Sequence, residues 1–173
     1  MPVVLDNPSP TVTITATDDL SLGDGAYSTA PSSAVWVSAN RAIYIPFTLY
    51  TSATAYSIVM MNGAAVSGNL DVGIYTEDGT RLISQGSTAQ VGLNRTQRFT
   101  FASPLNLAAG NYYMAAVFNN ATGQVFRRAW SANVGRIFAV YQQAGAFPLP
   151  ARATFEINSS GFLPIMGVKF NSV

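Results

Sequence analysis

Hydrophobic residues in this chain recur mostly at every second position, the spacing of strands whose faces alternate between core and solvent. The clearest case spans residues 68–87, GNLDVGIYTEDGTRLISQGS. Leu70, Val72 and Ile74 point one way and Asp71, Gly73 and Tyr75 the other, so one face is expected in the core and Asp71 in solvent. Glu77-Asp78-Gly79 then predicts a hairpin turn, with Gly79 supplying the positive φ that a twist-matched turn requires. The loop length stays open at this stage, so either Leu82 or Ile83 faces the core.

The same period predicts strands over residues 11–17, 34–38, 41–50, 55–61, 96–101, 124–129, 137–141, 154–157 and 165–170. In 41–50, Ile43, Ile45, Phe47 and Leu49 share one face, and Pro46 on the other points to an edge or a bulge. Asn62-Gly63 reads as a turn, and Gln97 alternates in phase with Phe99 and Phe101. Residues 103–118, SPLNLAAGNYYMAAVF, place Leu107, Gly110 and Tyr112 at the entry to a strand, which fits either a corner that pins a tyrosine hydroxyl to the preceding loop or a plain turn before an amphipathic strand. Roughly ten short strands between turns predict an all-β fold, a two-sheet antiparallel β-sandwich of jelly-roll type. Residues 1–10, with three prolines, are expected to form an extended N-terminal arm. Residues 11–173 form the single sandwich domain, with a long loop over 18–33.

Length and composition narrow the chemistry. At 173 residues the chain is sized for one domain with a sizeable core. Charged residues make up 10% of it, against roughly 25% in typical soluble domains, so its surface is mostly small and neutral polar. A net charge of +1 gives no electrostatic footprint for nucleic acid. The chain has no cysteine and no histidine, which excludes Cys/His zinc sites, thiol nucleophiles and Ser-His-Asp triads. The start, Met-Pro-Val-Val-Leu-Asp, shows no basic and apolar leader, and no run nears the roughly 18 apolar residues of a membrane span. The expectation is a protein made in a cytoplasm and kept soluble, with no membrane partner.

Among the carboxylates, Asp71 and Glu156 are the only two expected within strands and so the only pair to test as a glycosidase dyad. Asp18, Asp19 and Asp24 share a Gly-containing loop of the oxygen-rich kind that calcium favours, but their spacing fits no EF-hand and acidic residues in a loop are more often turn formers. No metal or other cofactor is therefore assigned. Trp36, Arg127, Arg128 and Trp130 are candidates for an aromatic and arginine platform, either for a glycan or for a protein interface. Pro2, Val3, Val4, Leu5, Pro8 and Pro10 in the arm, with Leu22 and Tyr27 in the loop, are candidate partner contacts.

Two stretches, GNLDVGIYTEDGTRLISQGSTAQ and LNLAAGNYYMAAVF, carry a resemblance. The chain resembles the β-sandwich virion proteins of tailed bacteriophages, in which a strand of this form, an Asp-Gly turn, a Gly-Ser-Thr loop and a later Leu-x-x-Gly-x-Tyr-Tyr recur. The matching region covers residues 43–118, near half the chain. Such sandwiches look like carbohydrate-binding modules. The resemblance implies a structural virion protein rather than an enzyme, foremost a capsid decoration or cement protein, with a tail- or fibre-attached receptor or carbohydrate binder as the alternative. It implies a place in the virion after synthesis in a bacterial cytoplasm. Its partners would be the major capsid protein or other virion proteins. Low charge adds an expectation of self-association, as a trimer.

Overall fold

The computed structural model describes residues 31–129 and 136–170. The expected arm, the strand over 11–17, the candidate contacts from Pro2 to Tyr27, the Asp18, Asp19 and Asp24 loop, and Trp130 lie outside the described residues.

Two antiparallel layers pack face to face. One has the order β11 (Glu156–Ile157), β10 (Tyr141–Gln143), β2 (Ala42–Leu49), β8 (Gly110–Phe118), β4 (Asn69–Thr76), β5 (Arg81–Ser84), with β6 (Thr88–Ala89) also beside β4. The other joins two short sheets, β1 (Ser32–Val35), β9 (Gln124–Ala129), β12 (Phe162–Pro164) and β13 (Met166–Phe170), β3 (Ala53–Met61), β7 (Thr96–Leu107). Ile165 alone separates β12 from β13. Its N–H donates to Phe126 O at 2.9 Å and its carbonyl accepts from Met61 N at 3.0 Å, so the two sheets run on as one layer. Between the layers, Ile43, Ile45, Leu70, Val72 and Ile74 meet Ile58, Met60, Phe99, Phe101 and Val168. Each such side chain contributes about 1.5–3 kcal/mol by leaving water. The all-β sandwich follows from this period-2 patterning.

The hairpin forms as its turn residues require. Gly79 sits at φ 86, and Thr76 N donates to Thr80 O at 2.9 Å. The Asp78 carboxylate accepts from the Thr76 hydroxyl and the Thr80 N–H, which holds its pKa below the usual carboxylate range. Pairing of Ile74 with Ile83 is followed by a bulge, and Tyr75 pairs with Arg81. Ile83 therefore packs on the core while Leu82 is exposed.

Some boundaries differ from the sequence reading for local reasons. The run 137–141 is strand only from Tyr141, because Ala139 takes φ 51, which no strand accommodates. Asn62-Gly63 is not a hairpin turn: β3 pairs with β7 and β13, and the chain crosses here to β4 in the other layer. Pro46 lies past Tyr44, the last β2 residue paired with β10, so among the described residues β2 is an edge strand there.

Of the two readings of residues 103–118, the tyrosine corner is the one that forms. Tyr112 Oη donates to Ala108 O at 3.1 Å, and its ring stacks on Phe47 with centroids 5.6 Å apart. The bond is solvent-exposed, so Tyr112→Phe is expected to cost only about 1 kcal/mol. A urea unfolding midpoint measures it. A loss above about 2 kcal/mol would mean that the hydroxyl does more than pin the corner.

Candidate partner-contact site

The loop over residues 90–95 leaves β6 and enters β7, and it is held from beneath by side-chain amides. Gln97 occupies the core-facing row of β7 with Phe99 and Phe101, but at the end of the strand, where it meets the buried Asn62 and Gln90. Asn62 Nδ2 donates to Val91 O at 2.6 Å and to Gln97 Oε1 at 2.9 Å. Gln90 Nε2 donates to Asn62 Oδ1 at 3.0 Å and to Gln124 O at 2.7 Å. Gln97 Oε1 also accepts from Val91 N at 2.9 Å, and its Nε2 donates to Ala89 O at 2.8 Å. Backbone bonds from Asn62 N to Arg95 O, 2.9 Å, and from Asn94 N to Gly63 O, 2.8 Å, close the base. Every amide oxygen and nitrogen in the cluster is therefore matched, as buried polar groups must be.

On this footing the loop turns its aliphatic side chains outward. Val91 is 57% exposed and Leu93 54%. Neutral amides do not titrate, so the loop keeps its shape across pH. The arrangement offers no nucleophile or general base; it offers a rigid apolar contact.

Asp71 defines a second, internal polar site. It is 0% exposed, which corrects the expectation that it faces solvent. The physical reason is a second cover: residues 144–155 lie over the back of the seven-stranded sheet, packing Ala146, Leu149 and Phe155 on Tyr44, Tyr75, Tyr113 and Ala115. Both faces of β4 are thus buried. Gly73 permits the close approach, since a Cβ there would come within 3.0 Å of the Leu149 side chain and nearer still to Ile83 O. Asp71 Oδ1 accepts from Ser84 Oγ at 2.8 Å and Gly86 N at 2.9 Å, and Oδ2 from Leu149 N at 3.0 Å. Burial raises the Tyr44 and Tyr75 phenols well above the ordinary tyrosine range and pushes Tyr113 up to about 12. These hydroxyls stay protonated and donate, Tyr75 to Pro150 O at 2.6 Å and Tyr44 to Gln143 Oε1 at 2.9 Å.

Asp71 and Glu156, the carboxylate pair to be tested, are not brought together. Glu156 aligns through Gln142, Ile43 and Ala116 with Val72, the neighbour of Asp71. Four strand steps of about 4.8 Å put the two carboxylates roughly 19 Å apart, beyond the 5–10 Å of a glycosidase pair. Glu156 is also exposed, and no ion pair of it with another described residue is present. Trp36 is 1% exposed: it stacks on Phe118 at 4.6 Å and meets Phe162 edge-on at 5.3 Å, and its Nε1 donates to Arg41 O at 2.9 Å. A ring with no free face is core, not a platform for a sugar. The Arg127 guanidinium lies over Phe162 at 5.5 Å, and Arg128 is half-buried on the same strand. The 90–95 loop itself was missed as a site. Its signal was Gln97, a polar residue in phase with two phenylalanines.

Fold and surface together define a two-layer all-β sandwich with a prebuilt apolar loop at one end. No protein-family model, no curated protein and no solved structure matches the chain.

Proposed function

We propose that this protein is a structural subunit of a tailed-bacteriophage virion, a capsid decoration or cement protein that bridges and stabilises capsomers. The observation that carries the reading is the loop of Val91 and Leu93, ordered before any partner arrives. A preordered loop loses little conformational entropy on docking, so its buried apolar area goes into affinity. Contacts of this kind that exist only on the assembled lattice favour the shell by mass action. Low charge and the resemblance of residues 43–118 to phage sandwiches support the same reading. A trimer of the subunit would present three such loops and multiply weak contacts.

The test is immunogold labelling of virions of the phage that encodes the chain, with wild-type protein and with the Val91→Asp/Leu93→Asp variant. Label over the heads is expected, falling at least tenfold in the variant while its unfolding midpoint holds. Label confined to tail or fibres would overturn decoration in favour of receptor binding. Unlabelled virions would overturn both.

A further inference from the structure

The outer face of β13, β3 and β7 is an apolar, cationic surface. Ile58, Met60, Phe99, Phe101, Met166 and Val168 face the core, so alternation turns Val59, Met61, Arg98, Gly167 and Lys169 outward. Gly167, Val59 and Arg98 share one cross-strand row, and Lys169 lies in the next, opposite Ser57. The bare backbone of Gly167 leaves a shallow depression bordered by Val59, Met61 and Ile165. Arg98 lies two strands across from Gly167 in its row and Lys169 two residues farther along β13, and all the described carboxylates, Asp71, Glu77, Asp78 and Glu156, belong to the other layer.

The missing negative charge lies in residues 1–30. They contain Asp6, Asp18, Asp19 and Asp24 with no lysine or arginine, a charge of −4, which leaves the rest of the chain at +5, nine cations against four carboxylates. The same segment carries the β-branched run TVTIT. It also joins the fold at the right place. Ser32, at the start of β1, pairs with Arg127, which pairs on its other side with Pro164, next to Ile165. The connection thus begins two strand steps, about 10 Å, from the depression, and thirty residues span up to about 100 Å.

We propose that the acidic N-terminal segment, residues 1–30, docks in cis on the outer face of β13, β3 and β7, its aspartates against Arg98 and Lys169 and its aliphatic side chains over Val59, Met61 and Ile165. The inference goes beyond the virion role and does not depend on it. Lys169 is the only lysine in the chain, which makes the test specific. Full-length protein is treated with a water-soluble carbodiimide, which joins a carboxylate directly to an amine, and the monomer band is mapped by mass spectrometry. An amide between Lys169 and one of Asp6, Asp18, Asp19 or Asp24 is expected. It should fade in 1 M salt, where the Debye length falls to about 3 Å. Links from Lys169 only to Glu77, Asp78, Glu156 or the chain's C-terminal carboxylate, links found only in dimers, or no Lys169 link at all would each overturn the proposal. As a second readout, Arg98→Glu should speed chymotryptic cleavage after Tyr27 at least tenfold without lowering the unfolding midpoint. An unchanged rate counts against it.

Discussion

Asp71→Ala is expected to lower the unfolding free energy by about 3–5 kcal/mol. The carboxylate ties the cover segment, through Leu149, to β4 and to the exit of its partner strand β5 at Ser84 and Gly86, and no strand pairs residues 144–151 with β4. Truncation leaves the Leu149 N–H buried with no acceptor, at about 1–3 kcal/mol, and weakens the hold on Gly86 and Ser84 by a similar amount. The Ser84 hydroxyl can rotate, and Gly86 N retains a 3.1 Å contact to Ser84 Oγ, so the total stays below the sum of three lost bonds. Asp71→Asn keeps the shape and one acceptor oxygen but aims an NH2 group at donors, and should cost less, about 2 kcal/mol. Urea unfolding gives the magnitude, and hydrogen exchange at Leu149 gives the place. A change under 1 kcal/mol in Asp71→Ala would show that residues 144–155 are held without this anchor.

That anchor also marks where the sequence stops being legible. The hairpin, its turn at Gly79, the buried row Leu70, Val72 and Ile74, and the Tyr112 corner all depend on neighbours in sequence, and they read correctly from it. The burial of Asp71 depends on residues more than seventy positions away. The cover segment that causes it has no hydrophobic period, because it lies on a sheet as an irregular strap rather than as a strand. Asp71, Gly73 and Tyr75 therefore looked like a solvent face. The choice between Leu82 and Ile83 was undecidable for a different reason: a bulge shifts the register between Ile74 and Tyr75, and one residue of slip exchanges the two faces. Trp36 was a platform candidate because a single tryptophan in a short run does not by itself say which face is covered. Its place is fixed by Phe118 and Phe162, from two distant strands.

Asn62→Ala is expected to cost about 3–4 kcal/mol and to loosen the 90–95 loop as well as the fold. Asn62 donates to Val91 O and Gln97 Oε1 and accepts from Gln90 Nε2, so its loss removes three bonds of about 1 kcal/mol each and strands buried partners. Asn62→Asp, of the same size, should be worse: it sets a carboxylate oxygen against Val91 O and Gln97 Oε1, acceptor facing acceptor. The pair of variants separates two ways in which a contact can fail. Val91→Asp/Leu93→Asp removes the apolar tips while the amide cluster stays whole, so partner binding should fall without a change in stability. Asn62→Ala leaves Val91 and Leu93 in place but lets the loop sample other conformations, so any partner must order it on binding, at about 0.5–1.5 kcal/mol per immobilised side chain. Binding should then weaken by roughly three- to tenfold, with faster hydrogen exchange at Val91 and Asn94. Under the proposed virion role, Asn62→Ala binding virions as tightly as wild type while its loop exchanges freely would mean that preorganisation is not the source of affinity and that the contact lies on another surface of the sandwich.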